Sequence, residues 1–266
     1  MNHLTTVFRG LHENKTPLIL PNAWDAGSAR LFESLGAPAI ATTSAGVAWA
    51  LGYSDGDKLP PEKLAALAAN IVRVIKVPLS VDVEGGYSHD PSKAAENVKL
   101  VLDAGVAGIN IEDSTNPFDL LLRKIEKIRA LSLGLAIDLF INVRTDVYLQ
   151  ALVPADQQVE ETIRRGKAVK EAGADGLFIP ALADVNAIKT IVPELDMPVN
   201  LMAWPGLPAA AELGKLGVKR LSAGSGIPQI IWNNAATLAE NFLKTGDSAP
   251  LMTGYMDHSR LQGLFS

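Results

Sequence analysis

Residues 79–113 of this 266-residue chain read LSVDVEGGYSHDPSKAAENVKLVLDAGVAGINIED. The stretch begins with a short apolar run, continues through a segment of helical periodicity that starts at Pro91, and ends in a second apolar run. Proline in the first turn of a helix sacrifices no hydrogen bond, because the N–H groups there have no partner within the helix. The stretch therefore predicts one strand–helix–strand unit.

The same alternation of strand and helix recurs along the whole chain, eight times in all. The predicted strands are residues 18–21, 39–43, 79–83, 108–111, 139–143, 176–179, 199–202 and 220–222. The predicted helices begin near Asp25, Pro61, Pro91, Leu120, Gln157, Ala183, Gly206 and Pro228. Continuous apolar strands joined by helices indicate a parallel sheet that is buried on both faces.

Chain length favours one closed barrel over two smaller domains. About 250 residues is typical of a (β/α)8 barrel, and no Ser/Gly-rich linker or block of charge divides this chain of 266 residues. We therefore predict an α/β fold, a single (β/α)8 TIM barrel over residues 1–266, with a doubly wound open sheet as the alternative. The apolar segment 251–266 is predicted to be a C-terminal tail that packs on the fold or on a neighbouring subunit.

The composition disfavours several classes of partner. The chain has 24 Lys and Arg against 29 Asp and Glu, a formal net charge of −5, and no basic run that could neutralise a phosphate backbone. It lacks the ~20 mostly apolar residues of a membrane-spanning helix and the charged and apolar regions of a signal peptide. It contains no cysteine, which excludes a thiol nucleophile. We expect a cytoplasmic protein that binds neither nucleic acid nor membranes.

Charged residues follow several predicted strands at their carboxyl ends, where the active site of such a barrel lies. Asp82 and Glu84 end the third strand at positions i and i+2, so both side chains point the same way. Glu112 ends the fourth strand and Arg144 ends the fifth. Carboxylate oxygens without His or Cys suit Mg²⁺, with Mn²⁺ as a second choice. The alternative is that these acids cap helices or form ion pairs with Arg144 and lysines.

The sequence also indicates a role for one turn and a position for three histidines. The turn Ser44-Ala45-Gly46 after the second strand could direct backbone N–H groups at an anion. The histidines His3, His12 and His258 lie in terminal segments, and we expect their side chains to be exposed to solvent.

Four phrases resemble the isocitrate lyase/phosphoenolpyruvate mutase family: PNAWDAGSARLFESLGAPAIATTSAGVAWALGYSDG (21–56), VDVEGGY (81–87), GVAGINIED (105–113) and NVRTD (142–146). The resemblance runs in order from about Leu18 to Trp204. It implies an enzyme in which a Mg²⁺ ion binds a 2-oxo acid or its enolate.

The resemblance also implies roles for individual residues. Asp82 would be the direct metal ligand, while Glu84 and Glu112 would act largely through bound waters. The implied catalytic residues are Asp55, Glu112 and Arg144. The implied substrate-binding residues are Trp24, Ser44, Ala45, Gly46, Asp82 and Arg144, with the turn 44–46 on the substrate carboxylate. The family further implies a homotetramer whose last helix, residues 228–243, is exchanged between subunits.

Departures from the family pattern narrow the activity. Family isocitrate and methylisocitrate lyases carry a Lys-Arg-Cys-Gly-His loop, where this chain has Ser114 to Asp119 without cysteine, and a family glutamate is replaced by Ala181. The longer gating loop of phosphoenolpyruvate mutases is also missing. We predict a Mg²⁺-dependent carbon–carbon lyase or decarboxylase acting on an oxaloacetate-like 2-oxo or 2-hydroxy dicarboxylate. Alternatives are a phosphonomutase or phosphonopyruvate hydrolase, and a non-catalytic 2-oxo acid binder.

Overall fold

The computed structural model describes residues 2–266, and the side chains from residue 3 onward. Its strands are β1 (Leu18–Leu20), β2 (Asn22–Ala23), β3 (Ile40–Thr42), β4 (Leu79–Asp82), β5 (Gly108–Glu112), β6 (Phe140–Arg144), β7 (Gly176–Ile179), β8 (Val199–Met202) and β9 (Arg220–Ser222). All pairings between neighbouring strands are parallel.

The sheet closes into a barrel through its first strand. β1 pairs with β9 and β2 pairs with β3, so the strand order runs from β1 through β9 down to β2. Pro21 separates β1 from β2 because proline has no N–H to donate to a neighbouring strand. β1 and β2 are thus two halves of the predicted strand 18–21. The (β/α)8 barrel is confirmed, and the open doubly wound sheet is excluded.

Eight helices follow the eight barrel strands. They are α2 (Ala26–Ser34), α4 (Pro61–Val74), α5 (Pro91–Asp103), α6 (Phe118–Gly134), α7 (Gln158–Glu171), α8 (Val185–Glu194), α9 (Ala210–Lys215) and α10 (Gly226–Thr245). Local sequence sets where several begin. The Asp25 carboxylate accepts the Ser28 N–H at 2.6 Å at the start of α2, and the Asp90 carboxylate accepts the Ser92 N–H at 2.8 Å at the start of α5.

Three further helices occur that the periodicity did not predict: α1 (Asn2–Leu11), α3 (Ser44–Ala50) and α11 (His258–Gly263). α1 closes the amino-terminal end of the barrel. The Phe8 ring is fully buried and meets the Phe140 ring edge-on at 5.6 Å. A Cβ built on Gly108 would lie 2.6 Å from the Phe8 ring, so only glycine fits there. Arg9 anchors the helix by ion pairs to Asp138 and Asp175.

The expectation that His12 is exposed was wrong. His12 is 2% exposed, and its ring stacks on Phe140 at 4.1 Å between centroids. Its Nδ1 donates to the Phe8 carbonyl at 2.8 Å, and burial lowers its pKa to about 3, so the ring is neutral. His3 and His258 are exposed as expected. The sequence misled because the burial of His12 depends on α1 docking against a closed barrel.

The two faces of the barrel strands differ in chemistry. The outward residues, including Val81, Ile109 and Ile141, pack with the surrounding helices in the main hydrophobic core. The inward residues include a small apolar cluster around Leu18, Leu20 and Phe140. They also include a set of buried polar side chains, Ser80, Asp82, Asn110, Asn142, Asn200 and Arg220. Buried polar side chains require hydrogen-bond partners, so these inward positions constrain one another.

The last barrel helix projects away from the barrel. Every residue from Gln229 to Ala249 is exposed, including the apolar side chains of Ile231, Leu238 and Phe242 on α10. The tail then returns to the barrel, where the Arg30 Nε donates to the Leu264 carbonyl at 2.7 Å. Within residues 2–266, no helix is both long and apolar enough to cross a membrane.

Candidate active site

A cavity of about 230 Å³ lies at the carboxyl ends of the barrel strands. Its polar wall consists of Asn22, Thr42, Thr43, Ser44, Asp55, Asp82, Asn110, Arg144, Ser222 and Ser225, together with Ala45 and Gly224. Its apolar wall consists of Leu149, Phe178, Pro180, Met202 and Trp204. The structure therefore brings together Ser44, Ala45, Asp55, Asp82 and Arg144 among the sequence-predicted residues.

Asp82 ends β4 and faces this cavity with only 8% of its surface exposed. Its Oδ1 accepts the Glu84 N–H at 3.0 Å, and its own N–H donates to the Thr42 Oγ1 at 2.8 Å. Asn110 is its register partner on β5 and lies beside it in the cavity wall. Burial raises the pKa of Asp82, with the nearby charge of Asp55 adding to the rise and that of Arg144 opposing it. Within residues 2–266, Asp82 forms no direct ion pair. Its carboxylate thus lacks a cation of its own.

Glu84 serves as part of a clamp between two loops. Its Oε2 accepts the N–H groups of Gly56 at 2.8 Å and of Asp57, while the Tyr87 hydroxyl donates to Oε1 at 3.1 Å. In return, the Asp57 Oδ1 accepts the N–H groups of Gly85 at 3.0 Å and of Tyr87 at 3.2 Å. This exchange fixes the loop of Asp55 against the carboxyl end of β4.

Backbone geometry supports the clamp. Glu84 and Tyr87 adopt left-handed conformations with φ of 49° and 57°, which are strained for residues other than glycine. The buried ammonium of Lys124 on α6 donates to the Gly85 carbonyl at 2.6 Å and holds the middle of this loop. No local pattern in the sequence indicates the clamp, because the partners of Glu84 lie about 28 residues away along the chain.

The clamp predicts a pH dependence of stability in the absence of metal. Burial raises the pKa of Glu84 from 4.5 to about 7. A group whose pKa rises on folding stabilises the fold below its unfolded pKa and loses that contribution as pH rises through the folded pKa. With EDTA present, the contribution of Glu84 to the free energy of unfolding should fall between pH 4.5 and about 7. The buried His12 contributes a slope of the opposite sign, so the expected result is a wild-type free energy of unfolding that falls more, or rises less, with pH than that of Glu84→Gln.

Urea unfolding at several pH values measures that slope. The matched control is Glu96→Gln on the exposed face of α5, which should keep the wild-type slope. An unchanged slope in Glu84→Gln would show that the Glu84 carboxylate is not the group responsible.

Glu112 and Arg144 are adjacent across two strands, since β5 and β6 pair them in register. Arg144 forms an ion pair with Glu112 and a two-point contact with Asp146, Nε to Oδ1 at 2.7 Å and Nη2 to Oδ2 at 3.0 Å. Burial raises the pKa of Glu112 well above its usual value, although the charge of Arg144 opposes this. Burial alone would lower the pKa of Arg144, but the charges of Glu112 and Asp146 hold it above its usual value. The guanidinium therefore stays charged and fixed in direction.

The predicted residues Trp24 and Gly46 lie behind the cavity wall and are not among the residues that line it. The Trp24 ring packs edge-on against Phe32 at 6.2 Å between centroids. A Cβ built on Gly46 would meet Thr43 at 2.7 Å and Trp24 at 3.0 Å. Gly46 therefore lets α3 approach the first barrel strand, which positions Ser44 and Ala45 at the cavity.

Several cavity residues escaped the sequence analysis, notably Asn22, Thr42, Asn110 and Ser222. A signal for one of them was present. Ser80, Asn110 and Asn142 each stand two residues before a candidate site residue, so the alternation of strands places them on the same inward face.

The side chains around Asp82 can be compared with the ligands that a magnesium ion needs. Within residues 2–266, no group of three or more His, Asp or Glu side chains is arranged to hold a metal ion alone. Mg²⁺ does not require such a cage, because it keeps several of its waters and uses one or two carboxylates. Asp82 supplies a buried carboxylate that forms no ion pair with the residues described, and Asp55 adds a second carboxylate to the same wall. The residues present therefore fit a water-rich magnesium site.

Closed parallel barrels with charged side chains at the carboxyl ends of their strands form a class of enzymes whose active sites lie at that end. Residues 8–243 match the model of the phosphoenolpyruvate phosphomutase family. The chain belongs to the isocitrate lyase/phosphoenolpyruvate mutase family and is an enzyme of that family.

Known relatives include proteins of different activity. An uncharacterized protein of Mycobacterium tuberculosis is 34% identical over 94% of this chain and 93% of its own. An oxaloacetate decarboxylase of Pseudomonas fluorescens is 28% identical over 84% of this chain and 79% of its own. The structure of a Burkholderia cenocepacia protein provisionally described as a phosphonomutase has a TM-score of 0.85 and 36% identity, and covers 90% of this chain and 100% of its own.

Proposed function

We propose that the chain is a Mg²⁺-dependent carbon–carbon lyase or decarboxylase that acts on a small 2-oxo or 2-hydroxy dicarboxylate, with oxaloacetate as the simplest substrate. The observation that carries this proposal is the buried Asp82 carboxylate, which faces the cavity and forms no ion pair within the described part of the chain, near the Arg144 guanidinium that Glu112 and Asp146 hold in place. When bound, Mg²⁺ supplies positive charge that stabilises negative charge developing on the 2-oxo oxygen. Mn²⁺ has similar oxygen-ligand chemistry and is a second candidate.

Different residues of the chain would contact different parts of the substrate. Asp82 and Asp55 would hold the metal, with Glu84 and Glu112 acting through waters. The N–H groups at Ser44 and Ala45 would bind the carboxylate beside the oxo group. Arg144, fixed by Glu112 and Asp146, would stabilise the enolate as a second positive charge. Glu112 and Asp55 would thus act on the reaction mainly by holding these charges in place.

The opposite wall of the cavity supports decarboxylation. Leu149, Phe178, Pro180, Met202 and Trp204 face the site, and Arg144 is the only Lys or Arg among the described residues that line it. An apolar wall solvates a carboxylate poorly, so it favours conversion of the distal carboxylate to neutral CO₂. The bond between C3 and C4 breaks, its electron pair passes to the enolate, and water then protonates C3. One lining cation also disfavours tricarboxylate substrates.

Phosphonate chemistry remains the second candidate. It is favoured by the similarity to the Burkholderia protein provisionally described as a phosphonomutase. It is disfavoured by the connection between β5 and α6, which spans only residues 113–117 and leaves no long loop to cover the cavity. Phosphoryl transfer competes with hydrolysis unless water is excluded.

A substrate panel followed by NMR tests the proposal. Oxaloacetate, a 2-methylmalate-type acid, methylisocitrate and phosphonopyruvate are each incubated with Mg²⁺, with EDTA, and with Asp82→Ala as control for the background reaction. We expect turnover of oxaloacetate or a related dicarboxylate above the variant background. A change of the C–P bond in phosphonopyruvate would promote the second candidate. Binding of oxalate with Mg²⁺ and no turnover would support the 2-oxo acid binder.

We further propose a homotetramer in which α10 is exchanged between subunits. This proposal is supported by the exposed stripe Ile231, Leu238 and Phe242 on α10. It is also supported by the uncovered outer side of β1, where Ile19 is 55% exposed. Each surface would bury the other in a neighbouring copy. The single-domain organisation, the packing role of residues 251–266 and the cytoplasmic location stay predictions.

The exposed stripe predicts the effect of adding charge to it. The double variant Leu238→Glu/Phe242→Glu should lower the molar mass in solution from four chains toward one, because buried unpaired carboxylates oppose association. Light scattering coupled to size-exclusion chromatography measures the mass. Asn233→Glu adds a charge to the other face of α10 and should leave the tetramer intact. A monomeric wild-type protein would contradict the proposed assembly.

A further inference from the structure

Arg220 is a buried cation that the proposed reaction does not use. It begins β9, points into the barrel, and is 1% exposed. Within residues 2–266 it forms no ion pair, and its Nε and Nη1 have no hydrogen-bond partner. Its single hydrogen bond runs from Nη2 to the Asn110 Oδ1 at 3.3 Å, and the Phe8 ring lies 5.9 Å from the guanidinium carbon.

A buried cation of this kind is unfavourable for folding. Burying an uncompensated charge costs several kcal/mol, and apolar residues of similar size are often tolerated better. Burial lowers the pKa of Arg220 only to about 10, so the side chain is charged at neutral pH. Asp82 is the group whose charge opposes this lowering. The cation and the proposed metal ligand therefore act on each other across the barrel interior.

Asn110 lies between Arg220 and Asp82 and touches both. Its Oδ1 accepts from Arg220 and also from the Asn142 Nδ2 at 3.0 Å. Asn110 is also the register partner of Asp82 across β4 and β5, and the two side chains lie side by side in the cavity wall. Arg220, Asn110 and Asp82 thus form a continuous path of contacts from the middle of the barrel to the cavity.

The hydrogen-bond donors and acceptors along this path indicate the effect of Arg220 on Asn110. A guanidinium only donates hydrogen bonds, so the Asn110 atom facing it must be the oxygen. The amide nitrogen of Asn110 must then face Asp82, where it donates to the carboxylate. Asn142 imposes no such choice, because its own amide can turn to offer either atom. Without Arg220, both amides could turn together and present the Asn110 oxygen to Asp82, which would repel it.

We infer that Arg220 is a positioning residue, which acts through Asn110 to hold the Asp82 carboxylate in the orientation that binds the metal ion. This inference rests on the proposed role of Asp82 as metal ligand. The alternative is that Arg220 only fills the barrel interior, in which case its replacement would change stability without changing metal affinity.

Metal binding distinguishes the two roles without any assay of turnover. Mg²⁺ affinity is measured by calorimetry and Mn²⁺ affinity by electron paramagnetic resonance, for the wild-type protein and for Arg220→Met and Arg220→Lys. Loss of a residue that orients a metal ligand typically weakens metal affinity about 10–100-fold, so we expect a loss of that size in Arg220→Met. Arg220→Lys keeps a donor-only group and should lose much less.

A double-variant comparison tests the path through Asn110. Asn110→Ala should weaken Mg²⁺ binding by a similar factor, and Arg220→Met/Asn110→Ala should weaken it no further, because both changes remove the same orientation. Factors that multiply in the double variant would overturn the inference. So would wild-type Mg²⁺ affinity in Arg220→Met.

Folding is checked separately by thermal unfolding in EDTA. Arg220→Met should unfold at or above the wild-type temperature, because it removes a buried charge that lacks an ion pair. If Arg220→Met does not fold, Arg220→Gln takes its place, since its neutral amide no longer fixes the direction of Asn110 and should weaken Mg²⁺ binding as well. A wild-type protein that binds neither Mg²⁺ nor Mn²⁺ would overturn the metal site itself, and this inference with it.

Discussion

Replacing Asp82 by alanine is expected to lower kcat/KM for the proposed 2-oxo acid substrate by about 10³-fold. This is the upper end of the range for losing one group that stabilises a developing oxyanion. Asp82 combines three properties: its carboxylate faces the cavity, it forms no ion pair with any residue that the structure describes, and it accepts the Glu84 N–H. Glu84 and Glu112 cannot replace it, because their oxygens already accept from loop N–H groups and from Arg144.

Steady-state kinetics at saturating Mg²⁺ measure this effect, and Mg²⁺ binding by calorimetry separates loss of the metal from loss of the fold. The matched control is Asp196→Ala, which removes an exposed carboxylate before β8 and should keep wild-type kinetics. Because burial raises the pKa of Asp82, the isosteric Asp82→Asn should be at least as stable as wild type in EDTA at pH 7. Retained turnover in Asp82→Ala would remove Asp82 from the proposed mechanism.

Arg144→Lys should have the second-largest effect, a loss of about 10²-fold or more in kcat/KM, similar to the removal of one preorganised donor in other active sites. The substitution keeps the positive charge but removes the planar guanidinium and its contacts. Arg144 uses Nε and Nη2 on Asp146 and Nη1 on Glu112, so its planar group is fixed from two sides. A lysine ammonium cannot form this two-point contact and would have to choose between the two carboxylates.

The kinetic pattern tests the role of Arg144 more sharply than the loss of rate alone. If Arg144 stabilises the enolate, kcat should fall more than KM rises, and affinity for oxalate, which resembles the enolate, should fall with kcat/KM. Arg164→Lys on the exposed side of α7 is the matched control. A pure rise in KM with unchanged kcat would reassign Arg144 to ground-state binding of the carboxylate.

The strands could be predicted because each carries its own signal. Residues 176–179, 199–202 and 220–222 have the same limits in sequence and structure, since buried parallel strands are short apolar runs bounded by turn residues. The first strand is the exception, because Pro21 breaks it between two pairing partners. The position of Asp82 and Arg144 also followed from the sequence, because a barrel brings the carboxyl ends of its strands together.

Other features depend on contacts between distant residues and carried no local signal. The clamp of Glu84 requires the loop of Asp57 to fold over β4, and the burial of His12 requires α1 to dock against Phe140. Arg220 stands at the start of a strand, where a charge is usually solvent-exposed, and only closure of the barrel shows that it faces Asn110. These are tertiary effects, which overrule local propensity.

The docking of α1 completes the closure of the barrel at its amino-terminal end, where buried side chains already fill the interior. At the amino-terminal end of the barrel the His12 ring stacks on Phe140, and the Phe8 ring meets both edge-on. Arg9 ties α1 to this end by its ion pair with Asp175. The cavity therefore opens only toward the carboxyl-terminal end of the described barrel, and a small molecule would enter and leave through that end. In the proposed reaction, release of the product would therefore have to precede binding of the next substrate, because both would use the same opening.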